Sequence, residues 1–164
     1  MKKAQLASLA MLASMISNGV NAKGPNLTAI DGSYELTKRV LANGTIVRPP
    51  GVRAIYTLRR GRFSLNLFSE NADGRLASES TIGRYSFSPS RYCEWIEVTT
   101  RSNIDHPGVT NKVPTVADHC ARVSRVSGRF VFVVPGENVT SSFGSHGFTA
   151  KIDNGDRDYW TKID

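Results

Sequence analysis

Hydrophobic and polar residues alternate with a period of two along most of the chain after residue 26, between clusters of Gly, Asn, Asp and Pro. Successive side chains of a strand point to opposite faces, so this alternation predicts strands with one buried face each. Phe63, Leu65 and Leu67, for example, alternate with Ser64 and Asn66. The sequence has no long apolar face with helical spacing. The pattern predicts an all-β protein.

The predicted strands are rich in β-branched and aromatic residues and are bounded by turn-forming residues. They cover residues 32–40, 52–58, 63–68, 83–87, 92–100, 116–126, 130–134 and 149–152, with a short last strand or tail at 159–160. A turn is expected at Ala72-Asp73-Gly74. Residues 101–115 contain Pro107 and Pro114 and are expected to form an irregular connection.

About eight antiparallel strands with short turns in a domain of this size predict a closed barrel. Closure removes the exposed edges that apolar sheets would otherwise present. The interior of such a barrel holds either side chains or one small ligand. The alternative is an immunoglobulin-like sandwich, but its spacing of Cys, Trp and Cys is not matched, since Trp95 follows Cys93 by two residues.

The N-terminus has the pattern of a secretory signal peptide. Lys2 and Lys3 precede an apolar stretch from Leu6 to Ile16, and Val20-Asn21-Ala22 fits a cleavage site. A membrane anchor is the alternative, but the apolar stretch is far shorter than the roughly 20 residues that span a bilayer. We expect residues 1–22 to be removed by a Sec-type pathway, leaving a single barrel domain at 23–164 in the periplasm or outside a bacterial cell.

Composition and charge narrow the function classes. With 40% hydrophobic and 21% charged residues among 164, the chain is globular rather than disordered or collagen-like. Its net charge is +7, but acidic residues are interspersed and no nucleic-acid-binding motif occurs. We expect a monomer with no nucleic-acid partner and no transmembrane helix in the mature chain.

The two cysteines, Cys93 and Cys120, predict a disulfide in an oxidising compartment. Closing this loop would stabilise the fold by roughly 3–4 kcal/mol in the chain-entropy model. A metal or reactive-thiol site with His119 beside Cys120 is the alternative, but the close ligand pairs typical of metal sites do not occur. We therefore expect no metal and no cofactor.

Three segments resemble bacterial lipocalin-like domains, a family of small-ligand barrels of the calycin type. They are Gly32-Ser33-Tyr34-Glu35-Leu36, Ala54-Ile55-Tyr56-Thr57-Leu58 with Gly61-Arg62-Phe63-Ser64, and Gly83-Arg84-Tyr85-Ser86-Phe87. The resemblance covers about residues 27–100 and implies a cup-shaped barrel. It also implies structural roles for Gly32 and Tyr34, with Tyr34 in place of the usual Trp, and for Arg157 as the arginine that packs over that aromatic ring.

Alternation also indicates which side chains face the interior, where a ligand would contact them. The cavity candidates are Tyr56, Leu58, Phe63, Leu65, Leu67, Tyr85, Phe87, Ile96, Phe130 and Phe132. Glu35 could be a polar group in the cavity. Arg53 or Arg122, if buried, would need an anionic partner.

Catalytic motifs are missing from the sequence, and we assign no catalytic residue. There is no G-x-S-x-G motif beside the three histidines, and Asp118 and His119 are strand neighbours that point to opposite faces. Glu94 and Glu97 should also point to opposite faces.

Together, the strand pattern, the N-terminus and the resemblance predict an exported lipocalin-like protein that binds a small hydrophobic or amphipathic molecule. The alternatives are an envelope protein with a filled barrel and a barrel enzyme using a cavity Tyr, Glu or His.

Overall fold

The computed structural model describes residues 28–70, 76–103, 106–112 and 118–164, and in these residues all regular structure is β. The predicted all-β class is confirmed. The expected signal peptide at residues 1–22 and the expected turn at 72–74 lie outside the described residues.

Thirteen strands occur in the described residues, all in one antiparallel sheet. They are β1 (Gly32–Val40), β2 (Ile46–Val47), β3 (Val52–Arg59), β4 (Arg62–Glu70), β5 (Leu76–Ser88), β6 (Arg91–Asn103), β7 (His106–Lys112), β8 (Cys120–Arg122), β9 (Ser124–Val126), β10 (Arg129–Val133), β11 (Val139–Gly144), β12 (Gly147–Ile152) and β13 (Arg157–Lys162).

The expected number of eight strands is wrong, and besides the unexpected two-residue β2, three differences account for it. β11 was missed because its sequence, VTSSFG, is mostly small and polar. Within the stretch expected to be irregular, residues 101–103 instead continue β6 and residues 106–112 form β7, which includes Pro107. The strand expected at 116–126 is two short strands, β8 and β9, separated by Val123.

The sheet curls into a nearly closed barrel. Its strand order is β7-β6-β5-β4-β3-β1-β13-β12-β11-β10-β9, with β8 paired to β6 and β2 to β1. Because β8 pairs with β6 and the following β9 pairs with β10, residues 120–126 connect the two ends of the sheet. Between them, the Val123 amide donates to the Ser90 carbonyl at 3.0 Å.

The predicted disulfide between Cys93 and Cys120 is present and lies at this closure. The two cysteines are register partners on β6 and β8. The covalent bond therefore fastens the segment that joins the ends of the sheet.

One end of the barrel is closed by large buried side chains. Ile30, Tyr34, Leu36 and Leu58 are at most 1% exposed. The Tyr34 hydroxyl donates to the Ile30 carbonyl at 2.8 Å. The Tyr34 ring meets the rings of Phe143 and Phe148 edge-on, at 5.7 and 5.1 Å. These contacts make Tyr34 the floor of the interior.

Two β-bulges determine which side chains face inward near the other end. The register between β5 and β6 shifts at Ile82/Gly83, and the register between β1 and β13 shifts at Leu36/Lys38. An extra residue on one strand moves the following side chains to the opposite face. Arg101 on β6 and Arg39 on β1 consequently face the interior.

Candidate functional site

The barrel encloses a cavity of about 500 Å³. Apolar and aromatic side chains line most of its wall, and six charged side chains also reach it. The charged lining residues are Arg39, Glu79, Glu94, Arg101, Glu137 and Asp158. Since side chains do not fill the interior, there is room for a small molecule.

Five aromatic rings form a continuous stack along the cavity wall. Tyr92, Phe132, Phe143, Phe148 and Trp160 follow one another with centroid separations of 4.3, 5.6, 4.4 and 5.1 Å. The stack follows from strand register, because Phe148 lies directly opposite both Phe143 and Trp160. Aromatic cross-strand pairs of this kind also stabilise the sheet.

Glu94 lies at the Tyr92 end of this stack. Its side chain is 6% exposed, and one of its carboxylate oxygens accepts a hydrogen bond from the Tyr92 hydroxyl. Burial raises the pKa of Glu94 to about 7, the Tyr92 hydrogen bond opposes this shift, and the charge of Glu137 adds to it. Glu94 is therefore a buried acid that changes its charge near neutral pH.

Two tyrosine hydroxyls accompany this carboxyl group. Tyr56 on β3 interacts through its hydroxyl with Tyr92, which in turn donates to Glu94. Burial, the largest cause, raises the pKa of both tyrosines well above the ordinary value. Both phenols stay protonated at neutral pH, so both remain hydrogen-bond donors.

A second acidic group lies nearer the open end. Glu79 on β5 accepts a hydrogen bond from Arg101 on β6 at 2.8 Å. Glu137, in the turn between β10 and β11, also lines the cavity. Glu137 is exposed in this turn; partial desolvation raises its pKa, the charge of Glu79 raises it further, and the charge of Arg101 lowers it.

Arg39 and Asp158 form a two-point ion pair on the opposite wall. The guanidinium donates through Nε and Nη2 to the two carboxylate oxygens at 2.6 and 2.7 Å. Asp158 is 5% exposed. Its hydrogen bond raises the pKa of Arg39. Because the two opposite charges are paired with each other, Arg39 and Asp158 form a polar part of the cavity wall with no net charge.

Beneath the cavity, a separate polar network holds the floor. Buried Asp31 accepts hydrogen bonds from the Tyr85 hydroxyl at 2.5 Å and from the hydroxyl of Thr28. Burial acts to raise the pKa of Asp31, but these hydrogen bonds outweigh it and the pKa is lowered. Lys162 donates to the Asp31 carbonyl at 2.6 Å, and its ammonium lies 5.9 Å from the Tyr34 ring centroid.

That contact corrects one expectation. The cation over the first-strand aromatic is Lys162, whereas Arg157 is exposed. Gly32 begins β1, and a Cβ there would lie 2.5 Å from the Lys162 side chain. Alternation along β13 explains the difference: Lys162 is two residues from buried Trp160 and shares its face, whereas Arg157 is three residues away and points outward.

Half of the ten candidate cavity residues line the cavity. These are Tyr56, Phe63, Leu65, Leu67 and Phe132. The others pack elsewhere in the core: Leu58 and Tyr85 are buried near the floor, Phe87 and Phe130 meet edge-on at 5.2 Å, and Ile96 is partly buried.

The polar candidates mostly face outward. Glu35, Arg53 and Arg122 are exposed, so the arginines need no anionic partner. His119 lies beside β6, with its ring Nδ1 3.1 Å from the Glu94 carbonyl oxygen. Glu97 points to the outer face, where it pairs with two arginines of the neighbouring strands. In the described residues, no three His, Cys, Asp or Glu side chains are placed to hold a metal ion.

The sequence did not identify the six charged cavity residues, Arg39, Glu79, Glu94, Arg101, Glu137 and Asp158. Glu94 could have been found, because it alternates with Tyr92 and Ile96 on one face of the predicted strand. Arg39 and Arg101 could not, because both reach the interior only after a bulge.

The chain is thus an all-β protein whose nearly closed barrel surrounds a cavity. No protein-family model matches it, and no curated protein matches it. Among solved structures, it is similar to a lipocalin-like protein from Bacteroides uniformis, with 13% sequence identity and a TM-score of 0.34. The match covers 83% of this chain and 100% of the other. A likeness at that TM-score establishes neither family nor function.

The described part of the chain contains no helix with the length and hydrophobicity needed to cross a membrane.

Proposed function

We propose that the protein binds a small hydrophobic or amphipathic molecule inside the barrel. The observation that carries this proposal is the cavity of about 500 Å³, which combines the five-ring stack with the buried carboxyl group of Glu94. Ligand pockets commonly have volumes of about 300–1,000 Å³ and an apolar lining with a few polar groups that orient the ligand. The cavity meets each of these requirements.

A cavity-filling substitution tests the proposal. Ala150 is buried on β12 and lines the cavity, whereas its neighbour Lys151 is exposed on the outer face. Ala150→Trp should displace a ligand by occupying its space, at a stability cost of about 1–3 kcal/mol from overpacking. Lys151→Trp adds the same side chain outside the barrel and is the matched control.

The measurement is native mass spectrometry of the protein purified from cells, with organic extraction of any bound compound. We expect a co-purified small molecule, or one recovered from a compound screen, on the wild type and on the Lys151→Trp variant. The Ala150→Trp variant should keep its β circular dichroism and lose the compound. Equal binding by both variants, or no binding by the wild type to any compound, would overturn the proposal.

We also propose that the protein acts after export, as a monomer comprising residues 23–164. The Cys93–Cys120 disulfide supports an oxidising compartment, because cytosolic thiols are normally kept reduced. The intact mass of the purified protein should match a chain that begins at Lys23, recovered from the periplasm or the medium. A full-length chain in the cytoplasmic fraction would contradict export.

A further inference from the structure

We propose that the ligand is a small organic cation, with an apolar body that lies along the ring stack and a protonated amine that pairs with Glu94. This inference rests on the proposed function and specifies the ligand class of the same cavity.

The charge of the cavity wall favours a cationic ligand. The described lining carries four carboxyl groups and two guanidinium groups. Arg39 is occupied by Asp158, and Arg101 by Glu79. Among the described residues, Glu94 and Glu137 form no ion pair with a basic side chain. A ligand with a positive charge would supply the cation that this wall lacks, and an anionic ligand would face repulsion.

The contrast with the rest of the protein strengthens this argument. The chain as a whole has a net charge of +7. The overall composition would predict more basic than acidic groups on the cavity wall, but the described wall has more acidic groups. Buried carboxyl groups are costly unless they are paired or hydrogen-bonded. Within the described part of the chain, the Glu94 carboxylate accepts a hydrogen bond from Tyr92 and has no basic partner.

The position of Glu94 beside the ring stack also favours a cationic ligand. Tyr92 lies two residues away on the same face of β6 and is the first ring of the stack. An ammonium group beside Glu94 would therefore be next to aromatic faces, which attract cations through their quadrupole. The Phe143 and Phe148 rings further along the stack would contact the apolar body.

A positive charge on the ligand would also change the ionisation of Glu94. An ammonium ion beside Glu94 favours its ionised form, so binding below pH 7 should release a proton. The charged or titratable groups that line the cavity around Glu94 are Tyr56 on β3, Tyr92 and Arg101 on β6, Glu79 on β5, Glu137 in the β10–β11 turn, Asp158 on β13 and Arg39 on β1. The two ion pairs are internally balanced and both tyrosines stay neutral, which leaves Glu94 as the buried acid and Glu137 as an exposed acid near Arg101.

The experiment compares three probes with one indole ring and different end groups: tryptamine, its alcohol tryptophol, and indole-3-acetate. Isothermal titration calorimetry at pH 8 measures their dissociation constants for the wild type and for two variants. Glu94→Gln removes the buried carboxylate and keeps its shape. Glu97→Gln removes a carboxylate from the outer face of the same strand and is the matched control.

Tryptamine should bind the wild type at least tenfold more tightly than tryptophol, and indole-3-acetate should bind most weakly. Glu94→Gln should remove the preference for the amine without weakening tryptophol, whereas Glu97→Gln should preserve it. Tryptamine binding to the wild type should weaken about tenfold between pH 8 and pH 6, as Glu94 becomes protonated. Circular dichroism checks that both variants fold.

Other outcomes separate this inference from the proposed function. Equal or tighter binding of the alcohol or the acid, or an amine preference that survives Glu94→Gln, would overturn the cation inference and leave a small-molecule binder. Failure of all three probes to bind, with a different compound recovered from the cavity by mass spectrometry, would also overturn the inference alone. No ligand of any kind would overturn both.

Discussion

Glu94 illustrates how burial changes the chemistry of one side chain. On the exposed surface a glutamate is charged at neutral pH, but here protein atoms replace the water that would solvate the carboxylate. Glu97, three residues away, stays at the surface with two arginine partners. The same residue type therefore has two roles on one strand, because the strand places the two side chains on opposite faces.

Replacing Glu94 with Gln should stabilise the protein at alkaline pH. The folded pKa of about 7 exceeds the ordinary value of 4.5, so the folded state binds a proton more tightly than the unfolded state. The resulting stability is fully present below pH 4.5 and is lost as the pH rises through 7. Since Gln does not titrate, Glu94→Gln should match the wild type near pH 4 and exceed its unfolding free energy by ~3 kcal/mol at pH 8.

Urea denaturation of both proteins at pH 4, 6 and 8, without ligand, provides the measurement. A stability difference that stays constant across this range would show that Glu94 does not titrate in this way.

At the scale of strands, close backbone contacts set the positions of the aromatic rings. Gly147 begins β12 with φ of 150°, and a Cβ on it would lie 2.0 Å from the Trp160 carbonyl oxygen on β13. This close approach lets Phe148, the next residue, stack on Trp160 at 5.1 Å. The ring stack thus depends on a glycine that is not itself in the cavity.

Gly147→Ala should destabilise the protein by about 2–4 kcal/mol, because the methyl group forces β12 and β13 apart. Gly44→Ala is the control, since Gly44 also has positive φ, at 85°, but has no neighbour within 4 Å of the added Cβ. The control should cost about 1–2 kcal/mol, the backbone term alone. Thermal and urea unfolding measure both, and equal costs would contradict the contact argument.

At the scale of the whole molecule, the barrel is closed by a short segment rather than by a long strand pair. β8 and β9 have three residues each, and they connect β6 to β10 with the disulfide at one end. Few hydrogen bonds hold this closure, so the covalent bond should matter more here than at a long ladder. The cavity is bounded by strands on both sides of the closure, which links the stability of this segment to ligand binding.

Cys93→Ser with Cys120→Ser should lower the unfolding free energy by roughly 3–4 kcal/mol, the chain-entropy value for a loop of this length. The lost disulfide should also increase hydrogen exchange at residues 118–126, compared with the strands β3 and β4 on the far side. Hydrogen-exchange mass spectrometry with and without the substitutions measures the local effect. Uniform exchange across the barrel would show that the disulfide does not act at the closure.

Local pattern was sufficient for much of the fold. β1 has the predicted bounds of residues 32–40, and β3 and β4 match within a few residues, because their alternation of apolar and polar positions is regular. The cysteine pair was predictable because a chain with two cysteines allows one intramolecular pairing. β11 was not, because a strand made of Val, Thr, Ser and Gly has a weak apolar face.

The candidate site was predictable where the alternation of apolar and polar residues is regular. Tyr56, Phe63, Leu65, Leu67 and Phe132 follow the regular alternation, and the structure places them around the cavity.

Local side-chain preferences and the period-two pattern thus determined that this chain forms antiparallel strands with an apolar inner face and one disulfide. The tertiary structure alone decided the rest. Contacts between residues distant in sequence decide where a strand bulges and which short segments join the ends of the sheet. They also decide which acids become buried. The acidic, aromatic cavity arises from those contacts, because the charge and hydration of Glu94 are set by strands that the sequence places far from it.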